Sequence, residues 1–270
     1  MTRDKETQGS DNTGWRCHDG GAIGLRIANA SLAFAGTPLF ENLSADIAGG
    51  QWTCILGPSG VGKSTLLRMI AGLGENGPVA GITASDGAAL DQRIAWMGQQ
   101  DLLLPWLSVS QNVALGNKLR GEPADGARIA SLLADVGLSE RPAALPATLS
   151  GGQRQRAALA RTLMEDRPVV LMDEPFSAVD AITRARLQEL AARLLRGRTV
   201  LLVTHDPLEA LRLGHRIHVM AGRPAHLGTA MEPPGETPRD PTDPALRALH
   251  LALLAQLGAA ADDPSNGGAP

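Results

Sequence analysis

The chain has 270 residues, enough for one large domain or for one domain with an inserted subdomain. Apolar residues make up 43% of it, sufficient for a sizeable core, and a formal net charge of -3 with no run of Lys or Arg argues against nucleic acid as a partner. Two cysteines, Cys17 and Cys54, are too few for a disulfide framework; Cys54 sits in the apolar string WTCIL, which predicts a buried free thiol suited to a reducing compartment.

The first residues are polar and Gly-rich, with no apolar segment of the signal-peptide kind. No stretch approaches the roughly 20 apolar residues that a bilayer needs. Residues 1–21 and 259–270 read as disordered tails around a folded unit over 22–258. Leu25 and Ile27, then Leu43, Ala45 and Ile47, alternate with polar residues; Gly36, Pro38 and Gly49–Gly50 punctuate them. This predicts antiparallel strands joined by turns. Trp52–Leu56 reads as a buried strand, and Ser64–Leu73 as a helix with Leu66, Leu67, Met69 and Ile70 at helical spacing.

Residues 107–148 read as mostly helical, with Ile129, Leu132, Leu133 and Val136 on one face, inside a helical subdomain over about 100–160. Alternation then returns: a strand at Val169–Met172, a helix over Asp180–Leu195, a strand at Thr199–Val203 and a helix at Leu208–Leu213. A last amphipathic helix is expected over Pro244–Leu257. The fold class is α/β: a mostly parallel core sheet, an N-terminal antiparallel β subdomain and an inserted α-helical subdomain.

Between the strand at Trp52 and the helix at Ser64 lies GPSGVGKST: Gly57, Pro58, Ser59, Gly60, Val61, Gly62, Lys63, Ser64 and Thr65. It satisfies the phosphate-binding P-loop pattern in the context that gives the pattern meaning. Glycines allow successive N–H groups to face phosphates, and the helix N-terminus adds positive potential. Lys63 is expected at the β- and γ-phosphates of ATP, and Ser64 on Mg²⁺. VVLMDEP supplies the acidic partner. Asp173 closes an apolar strand where it can hold the metal, and Glu174 can orient or deprotonate the attacking water.

The string LSGGQRQR, Leu149–Arg156, resembles the signature of ABC ATPases, and the other family marks follow in order. Gln99 resembles the Q-loop glutamine, aligned by Leu103–Trp106. Ser177, Ala178, Val179 and Asp180 resemble the D-loop, with Val179 where Leu is usual. His205 in VTHD resembles the switch histidine, and Phe34 resembles the aromatic that stacks on adenine. A buried strand phenylalanine is the competing reading of Phe34.

The resemblance spans about residues 23–225 and implies the P-loop NTPase, ABC-ATPase fold. It further implies a head-to-tail homodimer. Each site would use Lys63, Ser64, Gln99, Asp173, Glu174 and His205 of one subunit with Ser150, Gly151, Gly152 and Gln153 of the other. Asp180 would lie near the nucleotide, and Gln99 would join Ser64 and Asp173 at the metal. The implied partners are a membrane permease and, indirectly, a periplasmic solute-binding protein, at the cytoplasmic face of the inner membrane.

With 65 residues after His205, there is no room for the extra β-domain of sugar-type importer ATPases. Within the family, DLLLPW, ARTLMEDRPVVLMDEPFSA and THDPLEALRL most resemble the importers of hydroxymethylpyrimidine, a thiamine precursor; nitrate, sulfonate or taurine is the alternative cargo. A soluble non-transport ABC ATPase and a non-hydrolysing nucleotide scaffold are the readings from other classes. Intact Lys63, Asp173, Glu174 and His205 disfavour the scaffold.

Outside these motifs, His215 and His218 lack further ligands for a metal. Arg184, Arg186 and Arg193 are expected on a solvated helix face. Trp96 and Trp106 read as packing or partner contacts. The three leucines and the tryptophan after Gln99 suit either a docking patch or the junction between core and insert.

Overall fold

The computed structural model describes residues 22–73 and 81–262; the tail expected at 1–21, with Cys17 in it, lies outside them, as do 263–270. The alternating N-terminal segment forms β1 (Leu25–Phe34) and β2 (Thr37–Ile47), antiparallel from Leu25↔Ile47 to Phe34↔Thr37. Two register irregularities fall beside Asn29 and Asn42, which take positive φ of 53° and 51°, a conformation Asn tolerates better than most residues. Ser44 and Ser31 accept the N–H groups of Asn29 and Asn42, so the irregular ladder keeps its hydrogen bonds.

β3 (Trp52–Leu56) leads through the Gly-rich loop into α1 (Lys63–Ile70), three residues shorter than expected at its C-terminal end. β4 (Ile82–Ala84) completes the antiparallel layer in the order β2-β1-β4. β5 (Ile94–Met97) opens the core sheet. Then come α2 (Val109–Val113), α3 (Leu115–Arg120), α4 (Gly126–Asp135) and α5 (Gly151–Met164). The alternation resumes with β6 (Val169–Asp173), α6 (Ala181–Leu194), β7 (Thr199–Val203), α7 (Pro207–Leu213), β8 (Arg216–Ala221) and β9 (His226–Leu227). α8 (Pro244–Ala261) ends the described chain.

The core sheet runs β5-β6-β7-β3-β8-β9, parallel except for β9. Every residue of β3, β6 and β7 is buried, as a parallel strand covered on both faces requires. Trp52, Cys54 and Leu56 face the layer of α5, α6, α7 and α8, while Ile55, Leu171 and Val203 face α1 and the antiparallel sheet. Each large apolar side chain so buried contributes about 1.5–3 kcal/mol. Cys54 is a buried free thiol, and burial pushes its pKa far up.

The helical insert has its own core, in which Leu133, Val136, Leu138 and Val113 meet Ala157, Ala160 and Met164 of α5. Ile129 and Leu132 pack at its margin, so the predicted face is the buried one.

Three expectations change. α8 runs four residues past Leu257, placing Gly258–Ala261 in helix rather than residues 259–261 in a tail, because the alanine run there favours helix. α8 is also long and apolar enough, by length and composition alone, to cross a membrane, although no such stretch was expected. Nor is it cleanly amphipathic: Leu246, Leu253 and Ala260 are buried while Leu251 and Leu254 are exposed. It lies against α7 and β8 through the buried side.

Candidate active site

The loop between β3 and α1 has the shape its glycines permit. Gly57 has φ of 155°, and a Cβ there would stand 2.4 Å from the Met220 carbonyl. Gly62 caps α1 with φ of 110°, and its Cβ would meet the Phe40 ring at 3.0 Å. A side chain at Gly57 would collide with backbone, and one at Gly62 would push the Phe40 ring aside and strain a positive φ.

Lys63 is only 7% exposed, and its Nζ donates to the carbonyls of Gly57 at 2.8 Å and Pro58 at 2.9 Å. Burial pulls its pKa down while Glu174 and Asp173 push it back. Ser64 Oγ donates to Asp173 Oδ1 at 2.9 Å, fastening the start of α1 to the end of β6. Burial raises the Asp173 pKa, against the Ser64 hydrogen bond.

Around these groups is an open hollow of about 410 Å³, lined among others by Phe34, Ser59, Gly60, Lys63, Thr65 and Glu174. Phe34 is 48% exposed, so it is not the buried strand residue of the competing reading; its ring borders the hollow. The Val61 side chain is buried in the core beneath the loop, which leaves its backbone N–H as the group it can offer a phosphate. Pro58 takes part through its carbonyl.

Glu174 follows β6 with φ of 46°, a strained conformation for a non-glycine residue. The structure around it holds the strain. Its N–H donates to the Val203 carbonyl at 2.9 Å, and the Glu174 carbonyl accepts from Ser177 Oγ at 2.9 Å. Its Oε2 lies 3.1 Å from His205 Nδ1 and accepts from Gln99 Nε2 at 3.4 Å. Glu174 directly follows β6, while Gln99 and His205 lie two residues past the ends of β5 and β7, so three neighbouring parallel strands deliver residues just beyond their ends to one point. That is the carboxyl edge of the sheet, where open α/β folds place ligands.

The signature residues are elsewhere. Ser150 caps α5: its Oγ accepts from Gln153 N at 3.3 Å, and its N–H donates to Gln153 Oε1 at 2.9 Å. Gly151 lines a second hollow with Gln99, Arg154 and Ala178, and Gly152 packs against Thr183. Within one chain, none of Ser150, Gly151, Gly152 or Gln153 borders the P-loop hollow. Asp180 is likewise absent from it; the Asp180 carboxylate caps α6 by accepting from Ile182 N and Thr183 N.

Arg184 was expected in solvent, yet its side chain turns inward. Nε donates to the Phe176 carbonyl at 3.2 Å and Nη2 to the Val179 carbonyl at 3.3 Å, and Nη1 stands 3.5 Å from Asp206. Charge patterning could not reveal this, because the acceptors are backbone groups brought close only by the fold.

The loop 99–102 is also held from α5. Gln155 Nε2 donates to the Gln99 carbonyl, Arg154 pairs with Asp101, and Arg161 donates to the carbonyls of Asp101 and Leu102 at 2.6 and 2.7 Å. His215 and His218 are engaged with Trp52 and Gly228, and no group of three or more metal-ligating side chains occurs among the described residues.

The family model described as ABC transporter matches residues 40–177. An "Uncharacterized ABC transporter ATP-binding protein" of Haemophilus influenzae is 45% identical over 239 residues, covering 87% of this chain and 98% of its own. "Aliphatic sulfonates import ATP-binding protein SsuB 1" of Xanthomonas axonopodis pv. citri is 43% identical over 244 residues, covering 87% and 96%. Among solved structures, the ATP-binding cassette MJ0796, in a dimeric post-hydrolysis state bound to ADP and Pi, superposes with a TM-score of 0.65. It is 27% identical and covers 78% of this chain and 100% of its own.

Proposed function

The chain belongs to the ABC transporter family of ATP-hydrolysing subunits, and from that premise we propose that it powers import of a small organic sulfonate through a separate membrane permease. The observation carrying the hydrolytic reading is the meeting of Gln99, Glu174 and His205 beside the P-loop hollow. Phe34 offers a face to the adenine ring, and Lys63, with the loop N–H groups, receives the phosphates. Glu174 takes the proton of the attacking water, with His205 and Gln99 fixing the position of its carboxylate. The Ser64 hydroxyl and Asp173 carboxylate, side by side, are the hard oxygen donors that suit Mg²⁺, with Gln99 completing the set. The metal, when bound, neutralises charge on the transferred phosphoryl group.

The second subunit supplies Ser150, Gly151, Gly152 and Gln153, and Asp180 joins the nucleotide at the same interface. In favour of this is their position away from the P-loop of their own chain, together with the dimeric state of the MJ0796 neighbour. The folded unit expected over 22–258 carries the helical subdomain of about 100–160 as an insert, and α8 extends it to Ala261. The subunit sits on the cytoplasmic face of the inner membrane, served by a periplasmic solute-binding protein.

A sulfonate cargo is favoured over a hydroxymethylpyrimidine by the names of the relatives, several of which are sulfonate importers at 40–43% identity. Glu174→Gln is the test of mechanism: hydrolysis should stall and Mg-ATP should drive the variant to twice its monomer mass on sizing. Normal turnover by a monomer would remove Glu174 as the base. Uptake of alkanesulfonates, against a pyrimidine control, by vesicles carrying the subunit with its permease tests the cargo.

A further inference from the structure

The segment from Glu174 to Asp180 and the segment from His205 to Asp206 both border the site, and they come from different strands. Between them is a cavity of about 10 Å³, the space of roughly one water, lined in part by Glu174, Ser177, Arg184, His205, Asp206 and Glu209. Arg184, in the second turn of α6, spans the gap. Two of its nitrogens hold carbonyls of the first segment, Phe176 and Val179. A third faces the Asp206 carboxylate of the second, at 3.5 Å. Asp206 in turn fixes the start of α7, accepting from Leu208 N at 2.9 Å and Glu209 N at 3.3 Å.

One turn further along α6, Gln188 Nε2 donates to Glu209 Oε1 at 2.9 Å. Both residues are buried. Thr204, immediately before His205, accepts from Asp206 N and hydrogen-bonds the same Glu209 carboxyl. Residues 184 and 188 share a helix face, so α6 holds the His205 loop from beneath at two levels. Glu209 has no part in the mechanism above, yet it is a buried acid that the fold keeps beside Asp206. Burial of an acid next to another is costly, and Arg184 is the nearby positive charge that offsets it.

We propose that Arg184, supported by Glu209 and Gln188, is a positioning residue for hydrolysis that registers the Glu174–Asp180 segment against the His205 loop. Through this brace, displacement at Asp180, where the partner subunit closes, sets the distance between His205 and Glu174. The proposal rests on the catalytic reading of Glu174 and His205. It goes beyond that reading by tying their alignment to a side chain outside the P-loop hollow.

Arg184→Met and Arg184→Lys should be compared in steady-state hydrolysis as purified full-length protein. Arg184→Met is expected to lower kcat at least tenfold while KM for ATP stays within about twofold, because the P-loop and Phe34 are untouched. Arg184→Lys keeps a cation opposite Asp206 but loses the planar fork that serves two carbonyls, so it should fall between. Asp206→Asn combined with Arg184→Met should cost less than the product of the two single effects, since both cut one brace. A wild-type kcat in Arg184→Met, or a raised KM with kcat unchanged, overturns the proposal. So do effects of Arg184→Met and Asp206→Asn that simply multiply. Should Arg184→Met fail to fold, Arg184→Lys and Asp206→Asn carry the same comparison. Normal hydrolysis by Glu174→Gln would instead sink the catalytic reading on which the brace depends.

Discussion

Lys63 shows how one residue type at one place limits the chemistry. Its ammonium is largely out of water and tied to two carbonyls of the Gly-rich loop, so its charge is held at the loop proposed to receive the phosphates. Lys63→Ala is expected to reduce hydrolysis by about 10²–10³-fold or more and to weaken nucleotide binding, as measured by single-turnover hydrolysis and ATP titration. Wild-type turnover would remove it from the phosphate site. Gly62→Ala should be nearly as damaging for a different reason: it forces the Phe40 ring aside and strains a φ that alanine avoids. The strain at Glu174 has the same flavour, since the fold over-determines an unfavourable backbone at the residue proposed as the base.

At the scale of elements, the edge of the core sheet is fastened by side chains rather than by strands alone. His215 precedes β8. Its N–H donates to the Trp52 carbonyl at 2.8 Å, and its Nδ1 accepts from Trp52 N at 3.0 Å. Burial, and after it Arg239, holds the imidazole below its ordinary 6.5. The native state therefore keeps His215 neutral while the unfolded chain takes up a proton. Stability should fall as pH drops below about 6.5. His215→Gln, which can still accept from Trp52 but does not titrate, should flatten the urea midpoint between about pH 7 and pH 5. Equal slopes in both proteins would assign the dependence to another group. Arg239, also buried, donates to the carbonyls of Leu211, Gly214, Pro233 and Pro234, closing the end of α7. Arg239→Ala leaves those acceptors stranded and should cost about 2–4 kcal/mol in chemical denaturation. A loss under about 0.5 kcal/mol would place it with ordinary surface residues.

For the whole molecule, the question is how nucleotide state reaches the membrane partner. The loop after Gln99 divides its apolar residues. Leu103 is buried in the helical insert, whereas Leu102 is 58% and Trp106 71% exposed. Asn112, fully buried, donates to the carbonyls of Leu104, Leu107 and Ser108, so the exposed tryptophan stands on a fixed loop. We propose that an indole presented this way is an anchor for the permease. Trp106→Ala should leave fold, melting temperature and the ATPase rate of the isolated subunit close to wild type, and sharply reduce assembly with the permease and solute uptake. Unfolding of the variant would favour a packing role, and full uptake would clear Trp106 from the docking surface.

The sequence by itself determined the local pieces. A Gly-rich loop and a buried strand are each encoded in contiguous residues, so GPSGVGKST and the apolar runs at Trp52, Val169 and Thr199 were legible. The short strand at Ile94–Met97 was not, because four residues carry too little periodicity. Only the tertiary structure decided that Gln99, Glu174 and His205 meet, since their convergence comes from the strand order β5-β6-β7 and not from any spacing. The same holds for the division of the leucines after Gln99. It holds also for Arg184, whose partners are backbone carbonyls invisible to residue patterning. α8 makes the point from the other side: its composition alone fits a membrane span, and the fold lays it against α7 and β8 with Leu253 and Ala260 in the shared core. Burial is a property of two surfaces, and a sequence shows only one of them at a time.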